Sequence, residues 1–249
     1  MAEILKSFEV KEFLTAGQTS AEGELPLTAF VSRLIEIATG HANRADFGYS
    51  RLIEDNCSWV LSRLTAEIDR LPGINETFSL KTWIEDVGRL MTNRCFEMYD
   101  EEGRSIARVR SAWCAINIET RRPTDLLTTF PRIIEYVNTE LKCPVEVGPK
   151  PRAIKEPTRS EAYRFRYSDI DLNRHVNSCR YVGLLTDLWD MHFFDTHRVA
   201  AFDLVFHHEA LEGETGYIES VETGELEFMT QIRGESAPYC LCKFRFALR

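Results

Sequence analysis

At 249 residues the chain is long enough for two domains of roughly 120 residues, each with its own core. Its 44% hydrophobic and 28% charged residues exclude a disordered chain, and no apolar run approaches the ~18 residues of a membrane span. The net charge of −9 argues against general nucleic-acid binding, and an acidic partner would need a local basic patch to be received. The seven cysteines include no Cys-x-x-Cys pair, and Cys240 and Cys242 fall on one face of a probable strand, where a disulfide would be strained. Residues 1–9 lack the basic and then apolar regions of an export signal, so a reduced, cytoplasmic protein is expected.

Residues 4–14 read as a strand or extended arm. Leu27, Phe30, Val31, Leu34, Ile35 and Ala38 then recur at spacings of three and four, which predicts an amphipathic helix over 26–39. From Trp59 the pattern changes to strand-length runs, 59–68, 77–85, 90–99 and 106–118. Leu71-Pro72-Gly73, Asp86-Val87-Gly88 and Asp100 to Gly103 separate them as turns. Residues 123–161 hold six of the nine prolines and read as a linker with a short helix over 133–141 and a basic end.

The second half repeats this order: a strand over 162–167, a helix over 176–192, and strand-like runs over 201–208, 216–231 with a turn at Thr223-Gly224, and 239–248. The repetition predicts a tandem duplication. Tyr181, Val182, Leu184, Leu185, Leu188, Trp189 and Met191 cover most of the second helix's circumference, which suits a helix enclosed by a sheet.

Just before that helix, Asp171, Asn173 and His175 alternate with Leu172 and Arg174. Asp171 or Asn173 as a helix cap, with His175 in the first turn, accounts for the local chemistry. The same types also supply what acyl transfer requires: a group that takes a proton from water, an amide that orients carbonyl or nucleophile, and helix-start N–H groups that stabilise an oxyanion.

Asp171-Leu172-Asn173-Arg174-His175-Val176-Asn177, followed by Tyr181 and an apolar helix, resembles the active-site segment of the plant and bacterial acyl-acyl carrier protein (acyl-ACP) thioesterases. In the first half, Trp59-Val60-Leu61-Ser62-Arg63, Thr82-Trp83, Gly88-Arg89, Arg94-x-Phe96, Asp100-x-x-Gly103, Arg110-Ser111-x-Trp113 and residues 117–123 resemble that family's N-terminal domain in joint order and spacing. The resemblance implies an α+β fold of two tandem hot-dog domains, each a curved antiparallel sheet wrapped round a central helix. Residues 1–123 would form an N-terminal hot-dog with the acyl-chain pocket, 124–160 a Pro-rich basic linker, and 161–249 a catalytic C-terminal hot-dog. Residues 23–28 precede the first helix without an Asp-x-Asn-x-His cluster, so only the second half keeps the catalytic group.

The implied activity is hydrolysis of fatty acyl-ACP to free fatty acid and ACP, which terminates chain elongation in fatty-acid synthesis. Asp171, Asn173, His175 and Glu209 are the implied catalytic residues. Where the plant enzymes carry a Cys after that Glu this chain has Ala210, so a Cys-His-Asn mechanism is excluded, and Cys179 reads as packing. Water attack on the thioester carbonyl remains, with Asp171 and Glu209 as acids, His175 and Asn173 orienting water and substrate, and the choice of base between the two carboxylates open. Lys150, Arg152, Lys155 and Arg159 are candidates for docking the acidic carrier protein.

No cofactor or metal is expected, because adjacent His207 and His208 on a strand point to opposite faces. Trp83, Phe96, Trp113, Phe130 and Trp189 read as core, with some of them shaping the acyl pocket by resemblance. Alternatives are an acyl-CoA thioesterase, a non-catalytic acyl-thioester sensor, and a hot-dog enoyl-thioester hydratase, in whose motif the His follows the Asp by five positions with a Pro before it. Here the interval is four and Arg174 replaces the Pro. Two hot-dogs in one chain mimic a dimer of single ones, so a monomer or a homodimer fits.

Overall fold

In a computed structural model that describes residues 4–249, the alternating segments join into a single ten-stranded sheet. Met1, Ala2 and Glu3, where both the stretch read for an export signal and the first predicted unit begin, lie outside the described residues. The first half contributes β1 (Ser7–Phe13), α1 (Leu27–Arg44), α2 (Tyr49–Glu54), β2 (Cys57–Ile68), β3 (Thr77–Val87), β4 (Thr92–Asp100) and β5 (Ser105–Asn117). After α3 (Leu126–Thr129), the second half contributes β6 (Arg159–Arg164), α4 (Ser178–Thr186), α5 (Met191–Phe194), β7 (His197–Phe206), β8 (Thr215–Gly224), β9 (Glu227–Arg233) and β10 (Pro238–Leu248).

The strand order is β1-β3-β4-β5-β2-β7-β10-β9-β8-β6, which reads the same from either edge once the two halves are matched element for element. This is the predicted α+β architecture of two tandem hot-dogs. Every neighbouring pair is antiparallel, and β2 and β7 form the seam, with Thr65 opposite Asp203 and Ala66 opposite Phe202. The two central helices pack on each other behind the seam, so Phe30 and Leu34 of α1, Tyr181 and Leu185 of α4, and Phe202 and Phe244 of the sheet belong to one shared core.

Three sequence expectations are corrected. The first helix runs to Arg44 rather than residue 39, because the apolar face continues through buried His41 and Ala42 and the helix carries Gly40 within it. The second predicted helix, 176–192, is two pieces. The chain turns after Thr186 so that the Trp189 ring reaches Phe228, Phe244 and Phe246 at centroid distances of 5.2, 5.6 and 4.6 Å. Asp190 then starts α5 by accepting a hydrogen bond from the Phe193 N–H at 2.9 Å. The predicted helix over 133–141 is a single 3-10 turn, Ile133–Tyr136. Around that turn, Leu126, Phe130, Ile133 and Tyr136 are buried in a small second core with Phe47, Leu52, Ile84 and Ala115, so this part of the proline-rich segment packs as part of the first half.

A half-buried ion pair crosses the middle of the seam. The Arg63 Nε and Nη2 donate to the two carboxylate oxygens of Asp203 at 2.8 and 2.6 Å, Thr65 Oγ1 donates to Asp203 Oδ1 at 3.0 Å, and Arg63 Nη2 also donates to the Gly148 carbonyl at 2.8 Å. The two side chains are only 13% and 16% exposed, so removing one partner leaves the other charge desolvated and unpaired. Asp203→Ala is expected to lower unfolding stability by about 3 kcal/mol, measured by urea denaturation; a change below 1 kcal/mol would mean that water replaces the carboxylate.

Candidate functional site

The loop between β6 and α4 is fixed by a buried carboxylate that sequence reading passed over. Asp169, 4% exposed, accepts hydrogen bonds from Tyr163 Oη at 2.9 Å and the Arg166 N–H at 2.8 Å, and pairs with Arg180 Nε at 2.8 Å. Its carbonyl accepts from the Asn177 N–H at 2.8 Å, so the entry and exit of residues 170–177 are tied to one residue. Its only sequence signal was an Asp two residues before the recognised cluster.

Within the loop, the Asp171 N–H donates to the His175 carbonyl at 2.8 Å and the Arg174 N–H to the Asp171 carbonyl at 3.0 Å. Closing so tight a turn puts Arg174 in the left-handed region, at φ +64°. Asp171 Oδ1 accepts from the N–H groups of Asn173 at 2.8 Å and His175 at 3.3 Å. The carboxylate therefore builds the loop, and Asp171, Asn173 and His175 all line one cleft. Neither Asp171 nor Asn173 caps the helix, contrary to the sequence reading. The helix starts later, at Ser178, and Asn177 caps it by accepting from the Cys179 N–H at 2.8 Å. Of the helix-start N–H groups expected to serve an oxyanion, that of Cys179 is thus already used.

The facing wall is set by backbone bonds. Val176 donates to the Ala210 carbonyl at 2.9 Å, and the buried Ala210 N–H donates to Tyr181 Oη at 3.0 Å. These hold Glu209 beside the loop, with Oε1 3.3 Å from His175 Nδ1. Arg121, which follows β5 in the first half and also has a left-handed backbone (φ +58°), pairs with Glu209 Oε2. The cleft, about 380 Å³, lies across the seam, with Trp59 and Leu61 on one side and Tyr181 and Phe206 on the other. All four predicted catalytic residues thus meet at one place. Arg121, quoted above only within a longer motif, joins them through tertiary contact.

Burial, then the charge of Arg121, lowers the His175 pKa below its ordinary value, with Asp171 opposing more weakly. The shift favours the neutral ring at pH 7. A carboxylate next to Nδ1 keeps the proton on that nitrogen and leaves Nε2 with a lone pair. His207 and His208 lie just past the end of β7, not on it, and both donate backbone N–H to the Tyr239 carbonyl. Burial, His208 and Lys150 together lower the His207 pKa. Lys150 thus acts on the His207 ring, whereas Arg159 is engaged by Glu161 and the Leu188 carbonyl; Arg152 and Lys155 are exposed.

A cluster with metal-ligand atoms lies elsewhere. Glu85, Cys95 and Cys143 have their oxygen and sulfur atoms within 4.8 Å of one another, a grouping invisible at sequence separations of ten and 48. Arg110 Nε donates to Glu85 Oε2 at 2.6 Å and already meets the carboxylate's charge.

Two family models match the chain, the acyl-ACP thioesterase N-terminal domain over residues 6–134 and the acyl-ACP thioesterase C-terminal domain over residues 152–244. Among solved structures, an acyl-ACP thioesterase from Bacteroides thetaiotaomicron is similar with a TM-score of 0.89 and 32% identity, covering 97% of this chain and 98% of that one. The 12:0-ACP thioesterase from Umbellularia californica gives 0.87 at 17% identity over 98% of both chains, a likeness of fold. The chloroplastic oleoyl-acyl carrier protein thioesterase 2 of Arabidopsis thaliana is 24% identical over an alignment of 245 positions that covers 88% of this chain and 63% of that relative. The chain therefore spans less than two thirds of that relative's length.

The electrostatics of the cleft are open to direct measurement. Arg121→Met removes a positive charge that disfavours the imidazolium and frees the adjacent Glu209 charge, and both changes raise the His175 pKa. The ring C–H resonances of His175, followed by NMR against pH, should titrate at higher pH in the variant than in the parent. An equal or lower midpoint would show that Arg121 exerts no field on the ring.

Proposed function

Since the chain belongs to the acyl-ACP thioesterase family, we propose that it hydrolyses the thioester of fatty acyl-ACP to free fatty acid and ACP, ending chain elongation in fatty-acid synthesis. The observation that carries this reading is His175 beside Glu209, 3.3 Å away, in a cleft shared with Asp171 and Asn173.

In this reading water enters between His175 Nε2 and the thioester carbonyl. Nε2 takes the water proton as oxygen attacks carbon. Glu209, itself held by Arg121, stabilises the imidazolium that forms. The Asn173 amide and the Ser178 N–H at the helix start face the developing oxyanion. Collapse of the tetrahedral intermediate expels the thiolate, and the imidazolium returns its proton to that sulfur. Asp171 contributes by shaping the loop and by opposing Arg121 in the field at His175.

The acyl chain would run into the N-terminal unit, residues 1–123, while residues 161–249 carry the catalytic group. In support, Trp59 lines both the cleft and an inner cavity of about 50 Å³ that also borders on Trp113, Phe47 and Ile133. The Trp59 Nε1–H donates to the Phe47 carbonyl at 3.0 Å, which fixes the ring at the junction. We assign docking of the acidic carrier to Lys150, Arg152 and Lys155, with Arg159 at the margin because of its ion pair. Seven unbridged thiols suit a reducing cytoplasm, and one chain already supplies both walls of the cleft, so a monomer suffices. No helix among the described residues is long and apolar enough to cross a membrane.

The test is thiol release from matched acyl-ACP and acyl-CoA series. Carrier thioesters should be hydrolysed faster, with a rate constant that falls as salt screens the docking charges over ~10 Å. Preference for acyl-CoA would remove ACP as substrate, and tight acyl binding without release would leave a sensor. Glu209→Gln should cost about a hundredfold in kcat. Asp171→Asn, which keeps an oxygen for the loop N–H groups, should retain far more activity than Asp171→Ala. Equal losses in the two Asp171 variants would give Asp171 a direct chemical role.

A further inference from the structure

The loop that carries the catalytic group has a counterpart in the first half, bond for bond. The Ser20 N–H donates to the Glu24 carbonyl at 2.8 Å as Asp171 does to His175, and Gly23 donates to Ser20 at 3.1 Å as Arg174 does to Asp171. Gly23 is at φ +76°, the place of the left-handed Arg174. Leu25 donates to the Pro72 carbonyl at 2.8 Å as Val176 does to Ala210. Even the arginine beyond the last strand is repeated, since Arg249 Nη1 pairs with Glu24 Oε1 at 2.7 Å across the seam. Ser20, Glu22, Glu24 and Leu71 thus stand where the second half has Asp171, Asn173, His175 and Glu209.

The counterpart loop borders a cleft of about 450 Å³, no smaller than the one that holds the catalytic group. It has no imidazole, and its Glu24 carboxylate is engaged by Arg249. Part of its wall is apolar, formed by Leu71, Trp189, Phe194 and Met191, the last 67% exposed, while Glu22, Arg70, Arg180 and Asp187 line the rest. Arg198 lines the same cleft from β7, donates from Nη1 to the Ile68 carbonyl at 2.8 Å, and makes no ion pair among the described residues. The way into the second hot-dog is closed, because Trp189 packs on Phe228, Phe244 and Phe246. A ligand here lies in the cleft and does not thread beneath the sheet.

We propose that this second cleft binds a free fatty acid without hydrolysing anything, its carboxylate on Arg198 and its chain on Leu71, Trp189, Met191 and Phe194. The proposal rests on the thioesterase reading for the choice of ligand. A cation with an open donor beside an apolar wall fits an aliphatic carboxylate, the class of molecule that the reaction releases. A thioester offers that cation no charge.

Equilibrium dialysis of dodecanoate against the full chain, with release of thiol from dodecanoyl-ACP measured in parallel, tests this. Arg198→Glu removes the carboxylate's partner, and Met191→Glu places a charge on the exposed apolar wall; neither residue touches the catalytic cleft. Each should weaken one dodecanoate equivalent at least about tenfold, the worth of a charge-assisted hydrogen bond, with turnover kept within about twofold. Dodecanoate binding unchanged in both variants overturns the second site even where hydrolysis is normal. Arg198-dependent binding in a protein that hydrolyses no acyl-ACP sustains the second site and overturns the thioesterase reading instead.

Discussion

The pairing of β2 with β7 is the interaction on which the rest of the molecule depends. It turns two five-stranded sheets into one and brings α1 and α4 together behind it. It also sets the end of each seam strand against the loop of the opposite half. Apolar alternation alone would tolerate other partners along those edges. The Arg63–Asp203 pair, with Thr65 as a third member, gives the register a polar identity that a slip of one residue would destroy. A buried ion pair is a weak source of stability compared with an apolar pair, so its value here lies in specificity.

From that register follows the electrostatics of the cleft. Glu209 comes from the second half and Arg121 from the first, and they meet only because the seam fixes one against the other. Burial and the arginine favour the neutral form of His175, with Asp171 opposing more weakly, while Glu209 is engaged by that same arginine. The cleft can therefore keep a base with a lone pair, a carboxylate and a cation in contact with one another without their cancelling. Asp169 performs the mechanical part of this arrangement, since it pins both ends of the loop from a position where no substrate reaches it.

Much of this was legible in the sequence. Alternating Asp171, Asn173 and His175 before an apolar run marked the loop, and the recurrence of helix and strands marked the two units. The helix start was misread because Asn177, four residues beyond Asn173, caps equally well; only the return bond from Asp171 to His175 makes the cluster a turn and passes the cap to Asn177. The length of α4 was misread because periodicity does not register the pull of an aromatic ring such as Trp189 toward a distant cluster. Arg121 carried no local signal, since its role arises from a contact with a residue 88 positions away. Phe130 was read as core, but Leu126, Ile133 and Tyr136 were hidden by prolines, which announce breaks in regular structure but say nothing about burial.

The central position of the seam also has a cost in time. During synthesis β2 is made early and pairs with β5 on one side, but its other edge waits for β7, more than a hundred residues later in the chain. At ribosomal rates that interval is on the order of ten seconds. Throughout it the nascent first half presents an open strand edge beside an uncovered apolar helix, the combination most prone to pairing with the wrong chain. A fold that gains its catalytic cleft by joining two halves at their middle is therefore most exposed to aggregation before its second half exists.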